Sequence, residues 1–449
     1  MTDFPQFLFK GFQQSPVNQW LSLWMVLFSH HLPQMKEQEY KEGGQLSLPR
    51  ISLTRILDRL FLVEKIDSKD FRFLSMNKNH LIEGGIRPMA DKKKVLYIVE
   101  AMGGGVFTYI VDLANELVNE YDMYIAYAVR KQTPEDYRDY FDKRINLIEV
   151  KNFERSINPT KDIRAFFEIK NIAKRIQPDI IHLHSSKAGA LGRLAFNGRR
   201  LPLFYTPHGY SFLMQNHSAL KRMVYKAVET LCAKRNCMTI SCSEGEHQET
   251  LKLTRNAAYV NNGINIKDLQ KLIEKAGPIA DHPFTVFTLG RICYQKNPVL
   301  FNKVAAALPE IKFLWIGDGE LRDELESPNI EITGWVKRED ALRYSLQGDV
   351  FILTSLWEGL PISLLESMYM KKLCVVNNVI GNRDVIYNKK NGFVCDSLDD
   401  FVKAIRESND HSNYIDNAYC DVLNKYNTAV MAKSYSNIYQ AKIGRGGTA

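Results

Sequence analysis

From Lys92 onward, short apolar runs alternate with stretches whose apolar residues recur at helical spacing. Residues 95–99 (VLYIV) form a continuous apolar run, as expected of a strand buried on both faces. Gly103, Gly104 and Gly105 follow, and then a helical pattern through Ile110, Leu113, Ala114 and Leu117. Further strands are expected at 124–129, 147–150, 180–183, 203–205, 239–241 and 259–260. A polar, proline-bearing stretch at 275–283 (KAGPIADHP) interrupts the alternation, which restarts at 285–289, 313–316, 331–333, 350–353 and 373–376. Strands alternating with helices predict parallel sheets covered on both faces. The expected fold is α/β: two doubly wound, Rossmann-like domains, 92–275 and 276–428, facing each other across a cleft. A C-terminal helix and tail, 429–449, is expected to pack back towards the first domain. Ligands in such folds bind at the carboxyl ends of the strands.

Residues 1–91 lack this alternation. Apolar positions at helical spacing over 51–63 (ISLTRILDRLFLV) suggest one amphipathic helix, a lid or a membrane-surface contact, within an extension that is otherwise irregular or disordered.

Composition narrows the picture. With 449 residues, 45% hydrophobic and 24% charged, the chain suits a soluble protein of two domains and an extra segment. No apolar run approaches the roughly 18 to 20 residues that span a bilayer. The nearest, 20–28 (WLSLWMVLF), is about half that length and lacks the basic start and cleavage site of a signal peptide. The expectation is a cytoplasmic protein, with a peripheral place at the inner face of the cell membrane left open. Of the seven cysteines, Cys232, Cys237 and Cys242 are evenly spaced, the first two on a helix pattern and the third in a strand. No C-x-x-C pair occurs, so buried thiols are expected instead of a zinc site or disulfide. A formal charge of +8 fits a nucleic acid, an anionic membrane or a phosphorylated substrate. No nucleic-acid motif supports the first. A basic helical pattern over 219–237, carrying Lys221, Arg222, Lys226, Lys234 and Arg235, keeps the second open.

Candidate chemistry concentrates in the second domain. Strand 285–289 ends in Gly290-Arg291 and runs on to Lys296-Asn297-Pro298. Arg291 offers a planar fork and Lys296 a mobile point charge, a pair suited to a diphosphate. Strand 350–353 leads into Thr354-Ser355-Leu356-Trp357-Glu358-Gly359-Leu360-Pro361-Ile362-Ser363-Leu364-Leu365-Glu366. Pro361 fits a first helical turn, which would aim the amides of Ile362 and Ser363 outward at an anion. Glu358 is expected in the loop and Glu366 inside the helix among apolar neighbours, where a carboxylate needs a partner. Both carboxylates are expected to stand opposite Arg291 and Lys296 across the diphosphate.

Gly290-Arg291 through Lys296-Asn297, followed by Glu358 and Glu366 in an E-x7-E pattern, resembles the family 4 glycosyltransferases of the GT-B fold. The likeness runs from about Lys92 to the C-terminus, and its closer flavour is that of bacterial capsule, exopolysaccharide and lipopolysaccharide transferases. The resemblance implies a retaining enzyme of the hexosyltransferase class, with a nucleotide-sugar donor (uridine favoured) and a saccharide or lipid-linked saccharide acceptor. It implies no cofactor, and no D-x-D motif points to a metal. By this resemblance the first domain takes the acceptor and the second the donor. Arg291 and Lys296 would bind the diphosphate, Glu358 the sugar hydroxyls and Glu366 the ribose. Ile362 and Ser363 would give amides to phosphate or sugar oxygens, and the backbone near Val336 would meet the base. Gly104 and Gly105 match the family's glycine loop, and His208 in Thr206-Pro207-His208-Gly209 matches a histidine near the reacting sugar. His184, at the end of strand 180–183, could line the acceptor side, or His182 and His184 could both pack as strand residues. The competing expectations are another GT-B enzyme, such as a nucleotide-sugar epimerase, and a non-catalytic nucleotide-sugar-binding subunit.

Overall fold

The computed structural model describes residues 92–446 apart from 101, 131–132, 155–157, 280 and 409–410. The extension 1–91 and its expected helix lie outside the described residues.

Two all-parallel sheets make up the described chain, one of seven strands and one of six. The first has the order β3-β2-β1-β4-β5-β6-β7. Its strands are β1 (Lys93–Val99), β2 (Tyr121–Tyr127), β3 (Asn146–Glu149), β4 (Ile180–His184), β5 (Leu203–Thr206), β6 (Met238–Ser241) and β7 (Ala257–Tyr259). The apolar run of β1 is buried from Val95 to Val99, because β2 and β4 pair with it on either side and helices cover both faces. Helix α1 (Gly104–Leu117) buries Phe107, Ile110, Leu113, Ala114 and Leu117, a stripe at helical spacing. Between the later strands lie α2 (Pro159–Ile176), α3 (Ser186–Ala195), α4 (Ala219–Ala233) and α5 (Glu244–Leu251).

The second sheet has the order β10-β9-β8-β11-β12-β13. Its strands are β8 (Thr285–Leu289), β9 (Lys312–Ile316), β10 (Ile330–Ile332), β11 (Val350–Leu353), β12 (Leu373–Asn377) and β13 (Phe393–Cys395). Helices α7 (Pro298–Ala306), α8 (Arg338–Leu346), α9 (Ile362–Tyr369), α10 (Leu398–Arg406) and α11 (Ser412–Lys425) accompany it. Strand β13 was not expected from sequence: its three residues are too few to show a period. Helix α6 (Ile266–Ala276) precedes the polar stretch 275–283, yet Leu269 joins the second sheet's core with Leu342 and Leu346 of α8.

Each sheet has a topological switch point. From β1 the chain passes to β2 on one side and later to β4 on the other, and β8 has the same relation to β9 and β11. Two loops then diverge from one crevice at the carboxyl ends, which opens space for a ligand. The final helix α12 (Thr428–Gly446) returns to the first sheet and buries Met431, Ala432, Tyr435 and Tyr439 in its core. The crossing is pinned where Ile264 N donates to the Tyr426 carbonyl and Thr428 N to that of Ile264, both at 3.0 Å. Cys232 lies in α4, Cys237 just beyond it and Cys242 just past β6, and all three are buried free thiols.

Candidate active site

The switch point between β8 and β11 gathers most of the residues singled out from sequence. After β8 the chain makes a 3₁₀ turn over Tyr294–Lys296, and Asn297, at φ 53°, caps α7 by accepting from Leu300 N. Thr354 Oγ1, just past β11, donates to the Lys296 carbonyl at 2.8 Å, and Leu356 N donates to that of Gln295 at 2.8 Å. The two loops are thereby sewn together. Lys296 Nζ reaches Glu358 Oε1 at 2.7 Å. Gln295 Nε2 donates to the Trp357 carbonyl at 3.0 Å and to Glu358 Oε2 at 3.3 Å. Glu358 is therefore held from both oxygens, directly beside Lys296 and not across a gap from it.

Helix α9 starts at Ile362, with Pro361 as the residue before it. The amides of Ile362 and Ser363 precede the first helical donor, Leu364 N, which reaches the Pro361 carbonyl. They stand at the positive end of the helix dipole. Glu366, buried on α9, finds its partner in Arg338 at the start of α8. That guanidinium had no signal in the sequence, since it stands among ordinary charged residues of a helix start. Arg291 is half-buried and approaches Glu320 at 4.0 Å, so it does not join the Lys296–Glu358 pair. Val336 packs at the edge of the second core, beside the exposed Trp335.

On the first sheet, the switch point after β1 holds Gly103, Gly104 and Gly105. Gly104 adopts φ +57° at the start of α1, a conformation that a side chain would strain, and both Gly104 and Gly105 face open space. His208 follows β5 with φ +56°, an uncommon state for a residue with a side chain. The loop is held by Glu246 on α5, fully buried, which accepts from Gly209 N at 2.7 Å and from Cys242 N at 2.8 Å. Burial raises the Glu246 carboxyl above its ordinary value, and the amides pull it back. His208 Nε2 lies 3.1 Å from Nδ1 of His184, and Tyr109 packs against its ring at 4.6 Å. Burial pushes His208 down to about 3, so the imidazole is neutral. His182 and His184 are fully buried strand residues and not a lining of the acceptor side.

The two halves meet at these loops. A Cβ on Gly359 would stand 3.0 Å from Cys242 Sγ and 3.4 Å from Gly209 N, so the Glu358 turn lies close against the His208 turn and a side chain there would push the two apart by a few tenths of an ångström. Asn262 Nδ2 donates to the Leu360 carbonyl at 2.8 Å, and Gly245 N to Asp384 Oδ2 at 2.9 Å. Asp112 of α1 lies near Arg338 and Glu366: burial raises its carboxyl to about 7, Arg338 opposes that and Glu366 adds to it.

Chemically, the crevice offers an ammonium, two helix-start amides, an oriented carboxylate and a neutral imidazole. That set can hold a polyanion against a polyol. Among the described residues no group of three or more His, Cys, Asp or Glu side chains is placed to hold a metal ion.

Comparison with known proteins agrees with this assembly. Residues 103–268 match the family model Glycosyltransferase Family 4, and 269–419 match that of glycosyl transferases group 1. The UDP-Gal:α-D-GlcNAc-diphosphoundecaprenol α-1,3-galactosyltransferase of Escherichia coli is 28% identical over 67% of this chain and 85% of its own. A Campylobacter jejuni α-1,4-N-acetyl-D-galactosaminyltransferase, named for a GalNAc-containing PP-undecaprenol acceptor, is 24% identical over 69% of this chain and 87% of its own. Among solved structures, sucrose-phosphate synthase from Thermosynechococcus elongatus superposes with a TM-score of 0.67 at 15% identity, over 79% of this chain and 100% of its own. Anabaena Alr3699/HepE, solved with UDP and glucose, gives 0.62 at 16% identity, over 78% and 100%.

Proposed function

Because the chain belongs to the family 4 glycosyltransferases of the GT-B fold, we propose that it moves a sugar from a nucleoside diphosphate sugar, UDP-linked, to a lipid-linked saccharide with retention of configuration. The product would serve cell-surface polysaccharide synthesis. The observation that carries this reading is the Lys296–Glu358 pair at the β8–β11 switch point, with the start of α9 beside it and the His208 turn against it. The names of the Escherichia coli and Campylobacter jejuni relatives support the lipid diphosphate acceptor, and UDP in the Anabaena structure supports the base.

The chemistry follows from where charge develops. As the bond between the anomeric carbon and the diphosphate oxygen breaks, negative charge grows on the phosphate and positive character on the sugar ring. Lys296 carries three N–H donors; Glu358 takes one, and the others remain for the diphosphate. The Ile362 and Ser363 amides add fixed dipoles, and Arg291 adds a second cation at the rim. These donors are already oriented, so they need little reorganisation during the reaction. Glu358, its carboxylate fixed by Lys296 and Gln295, holds the sugar hydroxyls. The acceptor oxygen bonds the anomeric carbon on the face the diphosphate leaves, and its proton passes to the departing phosphate oxygen. No protein nucleophile is required. Glu366 and Arg338 form the deeper end, where the ribose hydroxyls would bind.

A lipid-linked acceptor brings the enzyme to a membrane surface, and we assign the contact to α4. That helix exposes Leu220 and Met223 beside the exposed Lys221 and Lys226, an apolar and cationic face suited to anionic lipid. No helix among the described residues is long and apolar enough to cross a membrane.

The test is a transfer assay with UDP-sugars and a GlcNAc-diphospho-lipid acceptor, reading the anomeric configuration of the first product by proton NMR. An α-linked product from an α-configured donor is expected. A β-linked product overturns retention, and no transfer from any UDP-sugar, with transfer from another nucleotide sugar, overturns the choice of base. Flotation with vesicles of anionic and of neutral lipid checks the membrane face: binding should need the anionic lipid and fall with Lys221→Glu and Lys226→Glu, whereas binding that ignores lipid charge refutes it.

A further inference from the structure

His184, at the end of β4, plays no part in the chemistry above. Its ring is fully buried, and Nδ1 lies 3.1 Å from Nε2 of His208, with the two rings stacked at 23°. His182 and Tyr97 pack on the same ring at 4.1 and 4.6 Å. Burial drives both His184 and His208 towards the neutral form. Each ring then carries a single N–H, and a single proton lies between them.

That shared bond couples the two tautomers. If His184 donates from Nδ1, its Nε2 is a bare lone pair, and His208 must carry its own proton on Nδ1. If His208 donates from Nε2, His184 must carry its proton on Nε2, and His208 presents a bare lone pair at Nδ1. The choice is made at His184 Nε2, which is buried and has no hydrogen-bond partner among the described residues. A buried N–H without an acceptor is rarer and costlier than an under-used acceptor. The first arrangement avoids it.

We propose that His184 is a positioning residue that fixes His208 as its Nδ1–H tautomer, so that the half-buried loop histidine presents a hydrogen-bond donor and never a base. Its partner is then an oxygen that accepts, a sugar hydroxyl or a phosphate oxygen. The purpose of the device rests on the transferase reading; its geometry does not. The backbone supports the same outcome: Glu246 holds Gly209 N, and Tyr109 packs edge-on against the His208 ring, which keeps Nε2 turned to His184.

The test is a two-bond proton–nitrogen correlation spectrum of the full chain labelled with ¹⁵N-histidine. His208→Gln and His184→Phe identify the two signals. The wild type should show both rings neutral and both protonated at Nδ1 over roughly pH 6 to 8, the range in which an unperturbed histidine titrates. In folded His184→Phe, His208 should lose that fixed tautomer and show a mixture, while kcat falls more than in His184→Asn, whose side-chain amide can still donate. A wild-type His208 protonated at Nε2 overturns the proposal, and so does an unchanged His208 tautomer in folded His184→Phe. The wild-type spectrum decides even if the variant does not fold. It is recorded without any sugar donor, so a wrong substrate assignment leaves it intact.

Discussion

Glu246→Gln tests whether the buried carboxylate on α5 is what holds His208 in place. Each oxygen of Glu246 serves one amide, Gly209 N at 2.7 Å and Cys242 N at 2.8 Å. Glutamine has nearly the same shape, but one oxygen becomes an NH₂ group. One amide then keeps a neutral acceptor in place of a charged one, a loss of about 1 kcal/mol. The other faces a donor and is left unsatisfied in the interior, a loss of about 1–3 kcal/mol. Removing a buried charge returns part of this loss, in keeping with the raised Glu246 carboxyl. The net expectation is destabilisation of about 2 kcal/mol, read from the midpoint of urea unfolding. Function should suffer as well. With Gly209 N released, the His208 backbone at φ +56° is free to leave its left-handed state, and a misplacement of about 1 Å near the chemistry can lower a rate on the order of 100-fold. We expect kcat to fall by roughly 10- to 100-fold with little change in the donor KM. Exposed Glu244→Gln on the same helix is the control and should shift stability by less than about 0.5 kcal/mol. A Glu246→Gln protein with wild-type stability and kcat within about twofold of wild type would refute the reasoning.

Three further outcomes are expected. Asp112 is raised to about 7 in the folded chain against an ordinary value of 3.8, so the fold prefers its protonated form and loses stability as pH rises from about 4 through 7. Asp112→Asn should therefore melt higher than wild type at pH 8 and nearly equal to it at pH 3 (each roughly one unit outside that window); a gap that does not change with pH counts against this. Glu229 pairs with the buried Arg193 at 2.7 Å and accepts from Tyr205 at 2.9 Å. Glu229→Ala strands that guanidinium and should cost about 3–5 kcal/mol in chemical unfolding, whereas a cost below about 1 kcal/mol would show the pair is dispensable. Arg338→Ala leaves Glu366 buried without its partner and should weaken UDP binding measured by calorimetry, while unchanged affinity would remove Arg338 from the nucleotide end.

The alternation of apolar runs and helical spacing made both sheets legible, because strands buried on two faces leave long apolar signatures. Strand β8 and strand β11 fall where the sequence places them, since turn residues bound each run. Strand β13 stayed hidden because three residues carry no period. The membership of α6 in the second core was equally hidden, as a helix stripe does not say which sheet it covers. In the site, motif and spacing brought out Lys296, Glu358 and the start of α9. They did not bring out contacts between residues distant in the chain: Arg338 on Glu366, Glu246 on Gly209, and His184 on His208. Each of these joins separate elements, and no local pattern records it. The expected gap between Glu358 and Lys296 became a direct ion pair for the same reason: the loops after β8 and β11 are sewn together by Thr354 and Leu356.

The central claim is that Lys296 stabilises a leaving nucleoside diphosphate at the β8–β11 switch point. Its most direct test is the rate of UDP release from a UDP-sugar in the presence of a lipid-linked acceptor, comparing wild type with Lys296→Ala at saturating donor. Losing one preorganised donor to the leaving group should lower that rate on the order of 100- to 1,000-fold. A folded Lys296→Ala enzyme that releases UDP within about threefold of the wild-type rate would contradict the account.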